Sequence, residues 1–179
     1  MDGRPQPTTV FRRRRLIMSL PEVGQTVPDF SLPHVNGGNI HHLSEIIPHN
    51  PTLIAFFKKS CATSRMTLPF VERLQQHYPA LQLLGVSQDD VADTQALIEQ
   101  TGIRFPILMD SDWKVSTEYD LFTVPSVFLL DKTGKVVRVN LGWNKEHYEA
   151  LSHAVAQLLN VEPVTLVTDT DKVPAFRPG

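Results

Sequence analysis

The feature that most constrains the fold is a short apolar run that leads directly into a helix-like segment, with the only cysteine of the chain between them. Residues 53–57 read Leu-Ile-Ala-Phe-Phe, and runs this rich in aliphatic and aromatic residues are typical of buried strands. Beyond the cysteine, Met66, Phe70 and Leu74 recur every four residues, which is the spacing of one helix face. The chain is therefore predicted to pass from a buried strand into a helix at Cys61.

Cys61 lies at the predicted start of this helix, where Ser60 is the expected N-cap. A thiol in the first turn of a helix faces backbone N–H groups without helical partners and the positive end of the helix dipole, and both favour the thiolate. Lys58, Lys59 and Arg65 act in the same direction if their side chains turn toward the sulfur. Because the thiolate is the nucleophilic form, the segment indicates thiol chemistry. The alternative is a buried, unreactive cysteine that only fills space.

Two motifs resemble the active site of thioredoxin-fold proteins. Residues 61–64 (Cys-Ala-Thr-Ser) are similar to the Cys-x-x-Cys motif of that fold, and Pro69 stands at the position of its helix proline. Residues 123–126 (Thr-Val-Pro-Ser), ahead of an apolar strand, resemble its cis-proline loop. The resemblance implies a cis bond before Pro125 and a loop that lies opposite the cysteine, where Val124 and Pro125 shape a groove for an incoming thiol or peptide.

Two segments between these motifs resemble one branch of the fold. Residues 86–90 (Val-Ser-Gln-Asp-Asp) and 105–110 (Phe-Pro-Ile-Leu-Met-Asp) are similar to redoxins, the alkyl hydroperoxide reductase and thiol-specific antioxidant superfamily. The resemblance covers about residues 23–159. It implies an α/β, thioredoxin-like fold with a central mixed sheet flanked by helices and an N-terminal β-hairpin.

The chain departs from the thioredoxin pattern at Ser64, which replaces the second cysteine. No other cysteine exists, so an intramolecular disulfide cannot form, and an intermediate on Cys61 must be resolved by a thiol from outside, such as glutathione or a thioredoxin-like protein. Ser64 is expected on the same face of the first turn, where its hydroxyl could donate a hydrogen bond to the thiolate. No cofactor is implied.

The substrate class stays open between disulfides and peroxides. Peroxiredoxins carry a threonine three residues before the cysteine and a proline seven before, whereas Lys58 and Ile54 stand here, which weakens the expectation of efficient peroxide reduction. The favoured interpretation is a monothiol redox protein of the antioxidant oxidoreductase type. It would act by thiol–disulfide exchange or by peroxide reduction through a sulfenic acid. The alternative is a redox-inactive interaction module that kept the fold and lost the chemistry.

The two ends of the chain differ from its middle. Residues 1–18 contain a four-arginine run and are interpreted as a disordered basic arm or as a misassigned start. Their apolar stretch is too short for a secretory signal, so a cytoplasmic location is expected. Residues 19–160 are predicted to form the redoxin domain, and residues 161–179 a mobile C-terminal tail.

The charge distribution and the histidine positions argue against a nucleic-acid partner and a metal site. The first 17 residues hold five of the 17 basic residues and one of the 19 acidic ones, so the remainder is acidic and predicts no nucleic-acid partner. No membrane span is expected. His41 and His42 are adjacent and would face opposite sides of a strand, so together with His34 and His49 they are expected to be surface histidines rather than a metal site.

Overall fold

A computed structural model describes residues 19–179, and the predictions for residues 1–18 lie outside that range. In chain order the elements are β1 (Ser31–Pro33), β2 (Ile40–His42), α1 (Leu43–Ile46), β3 (Thr52–Phe57), α2 (Ala62–His77), β4 (Gln82–Ser87), α3 (Val91–Thr101), β5 (Ile107–Met109), α4 (Lys114–Glu118), β6 (Ser126–Leu130), β7 (Val136–Leu141), β8 (Trp143–Asn144), α5 (Lys145–Leu159) and β9 (Phe176–Arg177). A 3-10 turn at Asp169–Asp171 precedes β9.

Five strands form a mixed central sheet in the order β5-β4-β3-β6-β7. β3 runs parallel to β4 and antiparallel to β6, and β7 continues the antiparallel half. β1 and β2 form a separate antiparallel hairpin before the sheet. This arrangement confirms the predicted α/β, thioredoxin-like fold with its N-terminal hairpin.

The central strand β3 is buried along its whole length because both faces of the sheet are covered. Successive side chains of a strand point to opposite faces, so Leu53, Ala55 and Phe57 pack in one core with residues of α2, α3 and α5. Ile54 and Phe56 pack in a second core with the hairpin, α1 and α4. The apolar run that reads as one block in the sequence therefore supplies two separate cores.

Short polar residues and a glycine mark the ends of two helices. Asp90 accepts a hydrogen bond from the Asp93 N–H at 2.8 Å and caps α3, and Asn144 accepts one from the His147 N–H at 3.0 Å and caps α5. α3 ends at Gly102, whose φ of 70° is in the left-handed region. These caps fix where each helix meets the sheet.

The hairpin and its histidines carry no ligand cluster. Within residues 19–179, no group of three or more His, Cys, Asp or Glu side chains is arranged to hold a metal ion. The His34 and His41 rings lie 6.0 Å apart between centroids. In the same range, none of the helices combines the length and apolar character that crossing a membrane requires.

The C-terminal segment, residues 161–179, corrects the expectation of a mobile tail. Leu166 and Val167 are buried against the domain. Arg73 of α2 forms a two-pronged ion pair with Asp171, with both N···O distances 2.8 Å. The Trp143 indole N–H donates to the Pro174 carbonyl at 2.7 Å. The segment folds back onto the domain because it meets buried apolar side chains and charged groups that the sheet and α2 present.

Candidate active site

A short loop carries the chain from β3 to Cys61. The Cys61 N–H donates to the Lys58 carbonyl at 3.1 Å, which closes a turn. The Lys59 N–H donates to the Asp89 carboxylate at 2.6 Å, which ties the loop to the end of β4. Asp89 is buried, and this burial is the largest of the effects that raise its pKa. The ends of two neighbouring parallel strands thus position the cysteine.

Cys61 is itself the N-cap of α2, which corrects the assignment of that position to Ser60. The Cys61 backbone is extended, with φ −81° and ψ 112°, and its sulfur accepts a hydrogen bond from the Ser64 N–H at 3.3 Å. The Cys61 carbonyl accepts the first helical hydrogen bond, from Arg65, at 3.2 Å. The sulfur therefore meets one of the N–H groups that a helix leaves without a partner in its own backbone.

The cis-proline loop lies directly against this sulfur. The Val124–Pro125 peptide bond is cis, and the Cys61 thiol donates to the Val124 carbonyl at 3.1 Å. The Pro125 carbonyl accepts from the Gly142 N–H at 2.8 Å, which holds the loop from behind. The structure brings together Cys61, Val124 and Pro125, although the cysteine and the loop are more than sixty residues apart.

Ser64 is close to the sulfur but presents its backbone rather than its hydroxyl. Its side chain is fully buried, and its Oγ faces the Lys58 N–H at 3.5 Å. The expected hydroxyl hydrogen bond to Cys61 is thus replaced by the backbone N–H described above. The position of the second cysteine is filled by a side chain that is oriented toward the preceding loop.

The three predicted cations have partners other than the sulfur. The Lys58 ammonium lies over the Trp113 ring, 4.8 Å from its centroid. The Lys59 ammonium pairs with Asp93 at 2.6 Å, and the Arg65 guanidinium donates to the Lys59 carbonyl. The condition that these side chains turn toward the sulfur is not met in these contacts, which are with an aromatic face, a carboxylate and a backbone carbonyl.

Two residues near the site were not identified from the sequence. Asp89 belongs to the redoxin-like segment 86–90, whose pattern does not reveal its contact with the cysteine loop, and Asp90 rather than Asp89 caps α3. Thr63, two residues after the cysteine, donates its hydroxyl hydrogen bond to the Pro178 carbonyl at 2.6 Å. The adjacent aspartates were a usable signal for Asp89, since only one of them can cap the helix, but no local pattern pointed to Thr63.

A protein-family model described as the AhpC/TSA family matches residues 23–139. The thiol-disulfide oxidoreductase ResA of Geobacillus thermodenitrificans (strain NG80-2) is 28% identical over 140 residues, which cover 72% of this chain and 78% of the relative. ResA of Bacillus subtilis (strain 168) is 26% identical over 123 residues, covering 66% of this chain and 67% of the relative. The residues 23–139 that the family model matches include the cysteine loop and the cis-proline loop.

Solved structures give the same picture of the fold. A Chlorobium tepidum protein assigned as thiol:disulfide interchange protein DsbE superposes with a TM-score of 0.71 at 25% identity, covering 78% of this chain and 99% of that one. The structure of MTB dsbF in its mixed oxidized and reduced forms superposes with a TM-score of 0.65 at 25% identity, covering 74% of this chain and 99% of that one. Both cover nearly the whole of the neighbouring chain.

These relatives overturn the expected location. ResA and DsbE proteins are extracellular, periplasmic or membrane-anchored thiol-disulfide oxidoreductases. The prediction of a cytoplasmic location is therefore wrong. It was based on the shortness of the apolar stretch within residues 1–18, which lie outside the described residues.

Proposed function

The chain belongs to the AhpC/TSA family, and from that premise we propose that it is a thiol-disulfide oxidoreductase in which Cys61 acts as a monothiol nucleophile. The ResA relatives support thiol–disulfide exchange as the general chemistry. The observation that carries the monothiol mechanism is the single cysteine at the N-cap of α2, with a buried serine at the position of the second cysteine.

In the first step, the Cys61 thiolate attacks one sulfur of a partner disulfide. A bond forms between the two sulfurs while the partner's own S–S bond breaks, and the departing sulfur leaves as a thiolate that takes up a proton. The Ser64 N–H, 3.3 Å from Sγ, stabilises the negative charge that the attacking sulfur carries. Val124 and Pro125 form the opposite wall of the groove through which the partner sulfur approaches.

In the second step, an external thiolate attacks the mixed disulfide and restores the Cys61 thiol. Ser64 cannot perform this attack, because its hydroxyl is not a thiol and is turned toward Lys58. Glutathione or a thioredoxin-like protein has the required chemistry. With a peroxide in place of the disulfide, the first step would break the O–O bond, leave a sulfenic acid on Cys61 and release water or an alcohol. One external thiol would then form a mixed disulfide with loss of water, and a second would release it as an external disulfide.

The test is to follow the mixed disulfide by mass spectrometry after mixing the reduced chain with cystamine, a small disulfide. We expect one adduct per chain in the wild type and none in Cys61→Ser. Once the released cysteamine has been removed, the adduct should persist until glutathione is added. A wild-type chain that sheds its adduct without added thiol would contradict the monothiol mechanism.

Ser64→Cys provides the matched gain-of-function variant, and Ser64→Ala its control. A cysteine at residue 64 is expected to release the adduct from within the chain by forming a disulfide with Cys61, whereas the alanine variant should behave like the wild type. If Cys61 reacts no faster with cystamine than an unstructured cysteine peptide does, the redox-inactive interaction module is the better description. Parallel assays with hydrogen peroxide separate a peroxidase from a disulfide reductase.

A further inference from the structure

Residues 174–179 cross the face of the molecule that contains Cys61. β9 pairs antiparallel with β8, with Arg177 opposite Trp143 and Phe176 opposite Asn144. The Lys145 N–H donates to the Ala175 carbonyl at 2.8 Å, which extends the pairing by one bond. The segment therefore lies in an extended conformation as an added strand, which is how a peptide binds to the exposed edge of a sheet.

The same segment continues into the gap between α2 and the cis-proline loop. Thr63 binds the Pro178 carbonyl, so the first turn of α2 holds one side of the segment. Gly179 packs so closely on the loop that an added Cβ would overlap the Val124 carbonyl oxygen and the Thr123 hydroxyl oxygen. That Val124 carbonyl is also the acceptor of the Cys61 thiol at 3.1 Å. The segment thus shares its contact surface with the nucleophile.

The fit depends on glycine at two positions along this path. A Cβ built on Gly142 would lie 2.9 Å from the Gly179 nitrogen and 3.0 Å from the Arg177 carbonyl oxygen. Gly179 has no side chain to place against the loop. Cys61 as a residue nevertheless remains half-buried beside the segment. A small reagent can therefore reach Cys61, whereas a second polypeptide backbone cannot occupy the same positions as residues 176–179.

We propose that residues 176–179 occupy, within the chain, the place that an extended segment of a disulfide-bearing polypeptide takes when it reacts with Cys61. This inference rests on the proposed function and adds to it an internal competitor for polypeptide disulfides. The partner replaces β9 beside β8 and contacts Thr63 and Val124 in its place. The internal segment is a competitor that discriminates by size, since it delays polypeptides and admits small disulfides.

Exposed aromatic side chains around the site indicate the kind of polypeptide. Phe122, next to the cis-proline loop, is 75% exposed, and Trp113, beneath Lys58, is 44% exposed. The two side chains belong to different elements of the site, and each offers apolar contact area to a bound segment. A partner segment with apolar residues on both sides of its cysteine fits this rim better than a strongly charged one does.

The test compares two disulfides that share one leaving group. The first is an unstructured peptide with leucines on both sides of a single cysteine, whose thiol is joined to thionitrobenzoate. The second is N-acetylcysteine methylamide joined to the same group. Attack by Cys61 releases coloured thionitrobenzoate in both cases, since that thiol leaves most readily. The ratio of the two rates measures access for a polypeptide independently of the reactivity of the sulfur.

Gly179→Val in the full chain displaces the segment, because its side chain overlaps the loop. We expect the ratio of peptide rate to small-disulfide rate to rise about tenfold, as the competing closed state is depopulated. Val161→Ala is the control, since it changes an exposed residue of the same C-terminal segment outside residues 174–179, and it should leave the ratio unchanged. An unchanged ratio in Gly179→Val, with both disulfides still reacting, overturns this inference but leaves the proposed function intact. Failure of both disulfides to react overturns both.

A second measurement uses the wild-type chain and does not depend on a variant. The serine analogue of the peptide is titrated into the labelled protein while the Trp143 indole N–H and the Lys145 amide are observed by NMR. Both groups donate to residues 174–175, so displacement should shift the indole signal and speed exchange of the amide. The absence of binding, or binding that leaves both signals unchanged, would contradict the replacement of β9.

Discussion

The central sheet and the C-terminal segment are held in the molecule by different forces. β3 and β6 are buried at every residue, and their side chains contribute to two apolar cores. Of residues 161–179, only Leu166 and Val167 are buried, and much of what holds the segment is hydrogen bonds and ion pairs. Apolar burial sets the fold, whereas polar contacts that water or another polypeptide can replace hold the segment that crosses the site.

The largest effect is expected from truncating the core itself. Phe128 is fully buried and meets the Phe56 ring edge-on, with centroids 6.0 Å apart. Phe128→Ala should lower the free energy of unfolding by about 3–5 kcal/mol, because it removes an aromatic ring and leaves a cavity. Phe122→Ala, at a site 75% exposed, should change it by about 0.5 kcal/mol or less. Denaturant unfolding measures both, and equal losses would contradict the assignment of the core.

A smaller, local effect is expected from the ion pair that fastens the C-terminal segment. Arg73→Met removes a two-pronged contact with Asp171 and a bond to the Leu166 carbonyl. Because the Arg73 side chain is 33% exposed, solvent screening limits the expected loss to about 1 kcal/mol. Hydrogen exchange should speed up at the Val167 amide and not in β3. Lys145→Met, which removes an exposed pair, serves as the control.

The same ion pair predicts how the segment responds to acid. The Arg73 side chain, by hydrogen bonding, holds the pKa of Asp171 well below its usual range. A lowered pKa means that the stabilisation is fully present above about pH 4, the usual aspartate value, and is lost as the pH falls below it. The Trp143 indole signal should therefore change only in acid, and not in Asp171→Asn. A change near neutral pH would indicate a histidine instead.

The smallest effect is expected at a buried tyrosine beneath the segment. Among the described residues, the Tyr148 hydroxyl forms no hydrogen bond of ordinary geometry, and Thr67 is its polar neighbour. Tyr148→Phe should therefore alter the free energy of unfolding by about 0.5 kcal/mol or less. Tyr78 is the contrast, because its hydroxyl bonds to Ser152 and to the Val164 N–H, both at 2.9 Å. Tyr78→Phe should cost about 1–2 kcal/mol. Thermal unfolding of the two variants tests this contrast. A larger loss of stability in Tyr148→Phe than in Tyr78→Phe would contradict it.

The sequence was sufficient for the parts of the fold that local patterns determine. The run at residues 53–57 and the helical spacing of Met66, Phe70 and Leu74 each reflect contacts with a face of one element. The caps at Asp90 and Asn144 satisfy N–H groups within their own helices. Each of these patterns lies within a few residues of the element that it determines, so it can be recognised without knowing how the rest of the chain folds.

The parts that escaped prediction depend on contacts between distant residues. Arg73 and Asp171 are 98 positions apart, and Thr63 and Pro178 are 115 apart. No periodicity in residues 161–179 predicts that this segment contacts α2. The orientations of the lysine and arginine side chains around Cys61 were left open for a related reason, since charge alone does not reveal which partner a side chain meets.

The buried serine at residue 64 also has a consequence for how long intermediates live. In a two-cysteine protein, the second thiol limits the lifetime of any adduct to the time its own attack requires. Here the lifetime of the adduct is set by external thiols, because residues 1–179 contain no second thiol that could attack the mixed disulfide on Cys61. Under the proposed chemistry, the mixed disulfide between Cys61 and its last partner persists until an external thiol reduces it. The fraction of the protein present as this adduct therefore depends on the local concentration of reducing thiol.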